Sequence, residues 1–200
     1  MDKRSLHHLW TAIRRVRVWY LLVPLLVVVA TSVYALRANN LRMVTLRDAV
    51  YTADKDNGDV EGALQGLRGY VYGHMNTQLS SGDNVYPPIQ LKYTYQRLKD
   101  AEKARVQAET DKVYHDAQVY CEQQNPAGFS GRGRVPCVED YVKSHRVAEK
   151  TIPDAMYKFD FVSPWWSPDL AGFSVLVGMA LLLLLILRII AGLVLRRMVR

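Results

Sequence analysis

Two stretches of this chain carry no charge at all. Residues 18–36 are 19 such residues, and residues 170–187 are 18 more, including an unbroken aliphatic run over 181–187. At a rise of ~1.5 Å per residue, ~19 helical residues reach ~28 Å, enough for a ~30 Å hydrocarbon core with adjustment at its edges. A helix buried in a soluble core can be this apolar, but two in 200 residues, each beside an arginine cluster, read as membrane spans.

The formal charge of +7 then resolves into parts. Residues 1–17 hold five Lys/Arg and one acid, a net of +4, and residues 188–200 hold four Arg and no acid, again +4. The 133 residues of 37–169 hold 17 basic and 18 acidic side chains, a net of −1. Basicity confined to the outer flanks of two apolar runs is a membrane pattern, and it argues against a nucleic-acid partner. The positive-inside rule puts Arg14, Arg15 and Arg17, and Arg188, Arg196, Arg197 and Arg200, on the cytoplasmic side of the cell (plasma or inner) membrane. The expected order is a cytoplasmic basic helix over 1–17, a first span over 18–36, an extracytoplasmic helical domain over 37–169, a second span over 170–190 and a basic tail over 191–200.

Local signals support this order. Leu6, Leu9, Trp10, Ile13 and Val16 fall on one helical face, with His7, His8, Arg14 and Arg15 opposite, as suits an anionic inner leaflet. Trp165 and Trp166 fit an interfacial aromatic belt, as do Trp19 and Tyr20 on the other side. Ser167-Pro168-Asp169 reads as N-cap, first-turn proline and first-turn acid of the second span. Arg188 lies ~27 Å along that span from Leu170, close enough to the inner interface to snorkel. The first span has the basic and apolar regions of a signal peptide, but its run is long and its nearest cleavage-like site is only Ala30-Thr31-Ser32. It is read as an uncleaved anchor.

In the outward segment, Leu36, Asn39, Met43, Leu46, Val50 and Ala53 keep the 3-4 spacing of a helix that continues out of the first span. Asp56-Asn57-Gly58 stops it. The acids there do not make a calcium loop: with Gly58 sixth, the first ligand would be Ala53 and the twelfth Leu64. Asp59 is the next N-cap, for a helix expected over 60–79. Gly62, Gly66, Gly69 and Gly73 recur on that helix at 4-3-4 spacing, each costing ~1 kcal/mol against Ala, and are read as a close-packing stripe for a partner helix. Ser174 and Gly178 in the second span form a second small-residue pair able to bring helices together. A third helix is expected over 89–122, with a solvated or kinked centre at 99–112, and a fourth over 138–150.

Cys121 and Cys137 are the only cysteines, and both fall on the oxidising side, so one disulfide is expected. Closing a loop of that size contributes about 3 kcal/mol in the chain-entropy model. Phe129, Arg132 and Arg134 lie in the Gly- and Pro-rich stretch between the cysteines and are the candidate partner-binding residues, facing an acidic or aromatic surface. No metal site or cofactor is expected, since His115 and His145 are the only further ligands near the cysteines.

No nucleophile elbow, H-E-x-x-H, P-loop or dinucleotide fingerprint occurs. About 17 residues precede the first span and about 13 follow Leu187, too few for an output domain, so any signal is expected to pass through a partner. The span–helical domain–span layout resembles the extracytoplasmic sensing half of four-helix-bundle bacterial receptors such as chemoreceptors. The stretches Tyr70-Val71-Tyr72-Gly73-His74-Met75-Asn76 and Pro87-Pro88-Ile89-Gln90-Leu91-Lys92-Tyr93 resemble those of uncharacterised two-span bacterial membrane proteins. The expectation is an all-α membrane protein: a non-catalytic interaction or sensor-like module, bound to lipid and acting with a protein partner or as a homo-oligomer. A self-associating structural envelope protein and an envelope-modifying enzyme are the alternatives.

Overall fold

The computed structural model of the chain describes residues 17–80, 86–124 and 131–199, without the side chains of 131, 132, 198 and 199. Trp10, Arg14, Arg15 and Phe129, and the side chain of Arg132, lie outside these described residues. Five helices dominate: α1 (Trp19–Asp56), α2 (Val60–Gly73), α3 (Lys92–Gln124), α4 (Gly131–Ser144) and α5 (Leu170–Val199). Two short strands, β1 (Ile89–Gln90) and β2 (Lys158–Phe159), and a 3-10 turn at Asp154–Met156 complete the order. The chain divides into two compact units: Met1–Ala53 with Gly58–Pro88 and Asp160–Arg200, and Asp54–Asn57 with Ile89–Phe159.

The first unit holds the two long apolar helices. α1 runs unbroken for 38 residues, so the first apolar run and the outward stripe are one helix. Met43 and Val50 are fully buried, and Leu36, Asn39, Leu46 and Ala53 are half-buried, in the expected spacing. Asn57 ends the helix in the left-handed region, at φ 54°, and the Gly58 amide donates to the Ala53 carbonyl at 2.9 Å. That six-to-one bond is a Schellman closure with Asn in the position more often taken by Gly. Asp59 then caps α2, accepting from the Gly62 amide at 2.8 Å. Leu64, Leu67 and Val71 form the buried stripe of α2.

α2 stops at Gly73, six residues before the expected end at 79. The reason is competition for backbone groups. Residues 75–79 give theirs to α1: the Asn39 side chain donates to the Met75 carbonyl at 3.3 Å, the Gln78 amide donates to Asn40 Oδ1 at 3.2 Å, and Arg47 Nη1 donates to the Leu79 carbonyl at 3.2 Å. His74 leaves the helix in an extended conformation, Asn76 beyond it stands in the left-handed region at φ 61°, and the Asn76 side chain donates to the Leu36 carbonyl at 3.1 Å. A helix through 79 would consume the Met75 carbonyl and the Gln78 amide internally.

In the second unit, residues 89–90 are extended, where the third helix was expected to begin. β1 pairs antiparallel with β2 in the register Ile89↔Phe159 and Gln90↔Lys158, and the Leu91 amide donates to the Tyr157 carbonyl at 2.8 Å. The prolines at 87 and 88 favour extended backbone just before this pairing. α3 then runs unbroken for 33 residues through its charged centre, which is solvated and not interrupted. α4 begins at Gly131, seven residues earlier than the expected 138, and ends at Ser144. The Gly- and Pro-rich composition read as loop is therefore helical from 131 onward, and residues 146–150 are not helical. The Cys121–Cys137 disulfide joins α3 to α4, with an S–S distance of 2.05 Å and a Cα–Cα distance of 6.1 Å.

Candidate functional site

Two helices of the first unit are long and apolar enough to cross a membrane: α1, and α5 over Leu170–Arg197. Their most apolar 18-residue windows are only 11% and 22% buried. The core helix of a soluble protein is mostly covered, so these surfaces call for another apolar environment.

The two helices are tied together by a polar cluster at one end of their apolar lengths. Asp169 caps α5: its Oδ1 accepts from the Gly172 amide at 2.8 Å and from Ser167 Oγ at 2.9 Å. Its Oδ2 accepts from the Asn39 side chain of α1 at 2.7 Å. Ser167, fully buried, also accepts the Met75 amide at 3.0 Å. The N-cap is thus Asp169, not Ser167 as its sequence position indicated. Ser167 orients the cap and holds the segment after α2. Burial, the largest influence on the Asp169 carboxyl, raises its pKa. The Gly172 amide, Asn39, Ser167 and the nearby His74 outweigh that effect and hold it below the ordinary aspartate range.

Gly172 is dictated by this geometry. A Cβ there would lie 1.9 Å from the Ser167 carbonyl oxygen and 2.8 Å from Trp166 Nε1. Trp166 is thereby held against the first turn of α5, where its ring meets Phe173 edge-on at 5.7 Å. Its neighbour Trp165 is completely exposed. At the other end of α5, Arg188 Nη1 lies 3.1 Å from where a Cβ on Gly192 would stand, so its side chain is laid along the helix toward the C-terminus. Arg196 and Arg197 are exposed in the last turns.

The two small-residue stripes have different surroundings. Ser174 is buried and donates to the Ala171 carbonyl at 3.0 Å, and a Cβ on Gly178 would meet Val28 of α1 at 3.5 Å. This pair faces α1 of the same chain. Among the described residues, nothing beyond their own helical backbone and chain neighbours comes within 4 Å of a Cβ added at Gly66, Gly69 or Gly73, which lie on the exposed face of α2, while Gly62 is crowded by its cap, Asp59. Among the described residues, no other helix packs on that stripe.

Arg134, a candidate for an acidic partner, is ion-paired with Glu122 across the disulfide-linked helices. Elsewhere in the second unit, Asp54 is only 2% exposed and caps α3 from outside the helix. Its carboxylate accepts from the Tyr93 and Thr94 amides at 2.9 and 2.7 Å, from the Thr94 hydroxyl at 2.6 Å and from Arg97 at 3.2 Å. Glu102 accepts from Arg105 and from the Lys150 amide, and these bonds lower its carboxyl to about 2. These acids are spent on structure. Among the described residues, no group of three His, Cys, Asp or Glu side chains could hold a metal ion.

Ser167 is read from the sequence as the cap itself and Asn39 as one position of the α1 stripe; their joint role with Asp169, and the roles of Asp54 and Gly172, were not foreseen. A buried Asn in an outward apolar stripe and a Gly three residues after an Asp were the available signals. No family model, no curated protein and no solved structure matches the chain.

Proposed function

We propose that this chain is a two-span membrane protein whose residues 37–169 face outward, and that it acts without catalysis as an interaction or sensor-like module through a partner. The observation that carries this reading is the uncovered apolar length of α1 and α5, 11% and 22% buried, closed at one end by the Asn39–Asp169–Ser167 cluster. A polar lock at the edge of the hydrocarbon fixes both helices where water is again available to the chain. Orientation follows from the arginines beyond the other ends, Arg17 and Arg196–Arg197, which belong on the cytoplasmic face.

The partner reading draws on surfaces that the chain leaves open. The outer face of α2 presents Gly66, Gly69 and Gly73 beside Tyr72, over which Arg68 sits at 5.5 Å. Self-association through Ser174 and Gly178 is the weaker reading, because that face is already taken up by Val28 of the same chain.

A photo-crosslinking residue placed at Gly69 in the full chain tests the partner reading in living cells. A discrete adduct with another protein, lost when Gly66 is replaced by Leu, is the expected result. No adduct at Gly69, or only a dimer of this chain, would contradict it.

A further inference from the structure

A cleft in the second unit, between α3 and the end of α4, is held open by fastenings on either side. At one side stands the Cys121–Cys137 disulfide, with the Tyr120 and Tyr141 rings 5.3 Å apart beside it. At the other, Glu102 accepts the Lys150 amide at 2.7 Å and Arg105 donates to the Ala148 carbonyl at 3.1 Å. Between them the chain leaves the helix at Ser144 and stands away from α3, leaving an open cleft of about 620 Å³. That lies within the ~300–1,000 Å³ of small-molecule sites.

The lining divides by chemistry. Val113, Tyr114, Val142 and Val147 give it apolar surface and Lys143, His145 and Arg146 cationic or polar surface, with no carboxylate among the described lining residues. Among the described residues Lys143 is ion-paired with Glu139 alone, at 4.0 Å on the exposed face of α4, a pairing of little strength. Arg146 makes no ion pair among the described residues. A cation in the last helical turn ordinarily answers the helix dipole, and Lys143 does so. Arg146 lies past the helix end, where the Tyr141 carbonyl already accepts from the His145 amide at 3.0 Å and the Ser144 hydroxyl at 2.8 Å. The dipole does not account for Arg146.

We infer that this cleft binds a small organic anion, a carboxylate or sulfonate on an aryl or short alkyl body. The body lies against Val113, Tyr114 and Val142, and the head sits between Lys143 and Arg146. The inference rests on the sensor-like reading only for where such a ligand is met, since the cleft belongs wholly to the second unit.

The test uses the full chain in lipid nanodiscs, with empty nanodiscs as background, and 2-naphthoate as the probe followed by ligand-observed saturation-transfer NMR. Saturable binding is expected, weakened about tenfold or more for neutral 2-naphthamide. It should be lost in the double variant Lys143→Glu/Arg146→Glu and in Val142→Trp, and retained in Arg146→Lys, with an intact disulfide and unchanged circular dichroism in each. Equal binding of acid and amide, unchanged affinity after charge reversal, or no saturable binding would overturn the inference. Binding of inorganic phosphate but not naphthoate would overturn it as well. A chain oriented the other way in the cell would still bind naphthoate in nanodiscs, so failure here and failure of the topology are separately visible.

Discussion

Glycines carry opposite consequences at two places in the first unit. At Gly172 a methyl group would sit 1.9 Å from a backbone oxygen that cannot move without undoing the α5 cap. At Gly66 it would meet nothing. Gly172→Ala is therefore expected to destabilise the protein by about 1–3 kcal/mol, the usual range for overpacking. Gly66→Ala, at an exposed helix interior, is expected to stabilise it by about 0.5–1 kcal/mol. Thermal or denaturant unfolding in mild detergent checks both, and loss of stability in both variants would contradict the surroundings described for α2. The glycine spacing on α2 was plain in the sequence, but its environment was not. Periodicity tells which residues share a helical face and is silent on whether that face is covered. Asp169 shows the same limit from the other side. Ser, Pro and Asp are all favoured near a helix start, and only the position of the Gly172 amide decides which of them caps.

At the scale of elements, the long helices were legible and the places where chain meets chain were not. α1 and α5 follow from uninterrupted apolar runs, and Asp59 as the cap of α2 follows from its place before the stripe. The early end of α2 and the β1–β2 pairing depend on partners 32 to 70 residues away, for which local propensity carries no signal. The start of α4 was missed because Gly and Pro were weighed as loop formers, whereas the helix runs through Pro136, its sixth residue, at the cost of one backbone bond and next to the Cys137 that is fixed to α3. The tie of residues 148–150 to α3 is open to a pH test. Glu102 is depressed to about 2 by Arg105 and the Lys150 amide. A carboxyl with a folded value below its unfolded one stabilises the fold above the unfolded value, ~4.3, and loses that contribution as pH falls toward the folded value. Hydrogen exchange at Lys150 should therefore accelerate between about pH 4.5 and 2, relative to amides away from this contact, and Glu102→Gln should show the fast rate already at pH 6. A pH-independent relative rate in the native chain would contradict the tie.

At the scale of the whole molecule, charge and apolarity are arranged together: a net +4 before the first apolar run, −1 between the runs and +4 after the second. Neither α1 nor α5 covers its apolar length with protein, and the polar cluster of Asn39, Ser167 and Asp169 joins them on the side of the near-neutral segment. The account therefore stands or falls on which side of the membrane that segment lies. The disulfide between Cys121 and Cys137 provides the probe, because the chain holds no other cysteine. Intact cells are treated with a membrane-impermeant maleimide of high mass, with and without a preceding impermeant phosphine reductant, and the chain is read by its gel shift. The account predicts no shift without reductant and a shift of two adducts after it, in unbroken cells. A shift without reductant, or one that appears only once the cells are lysed, would contradict it.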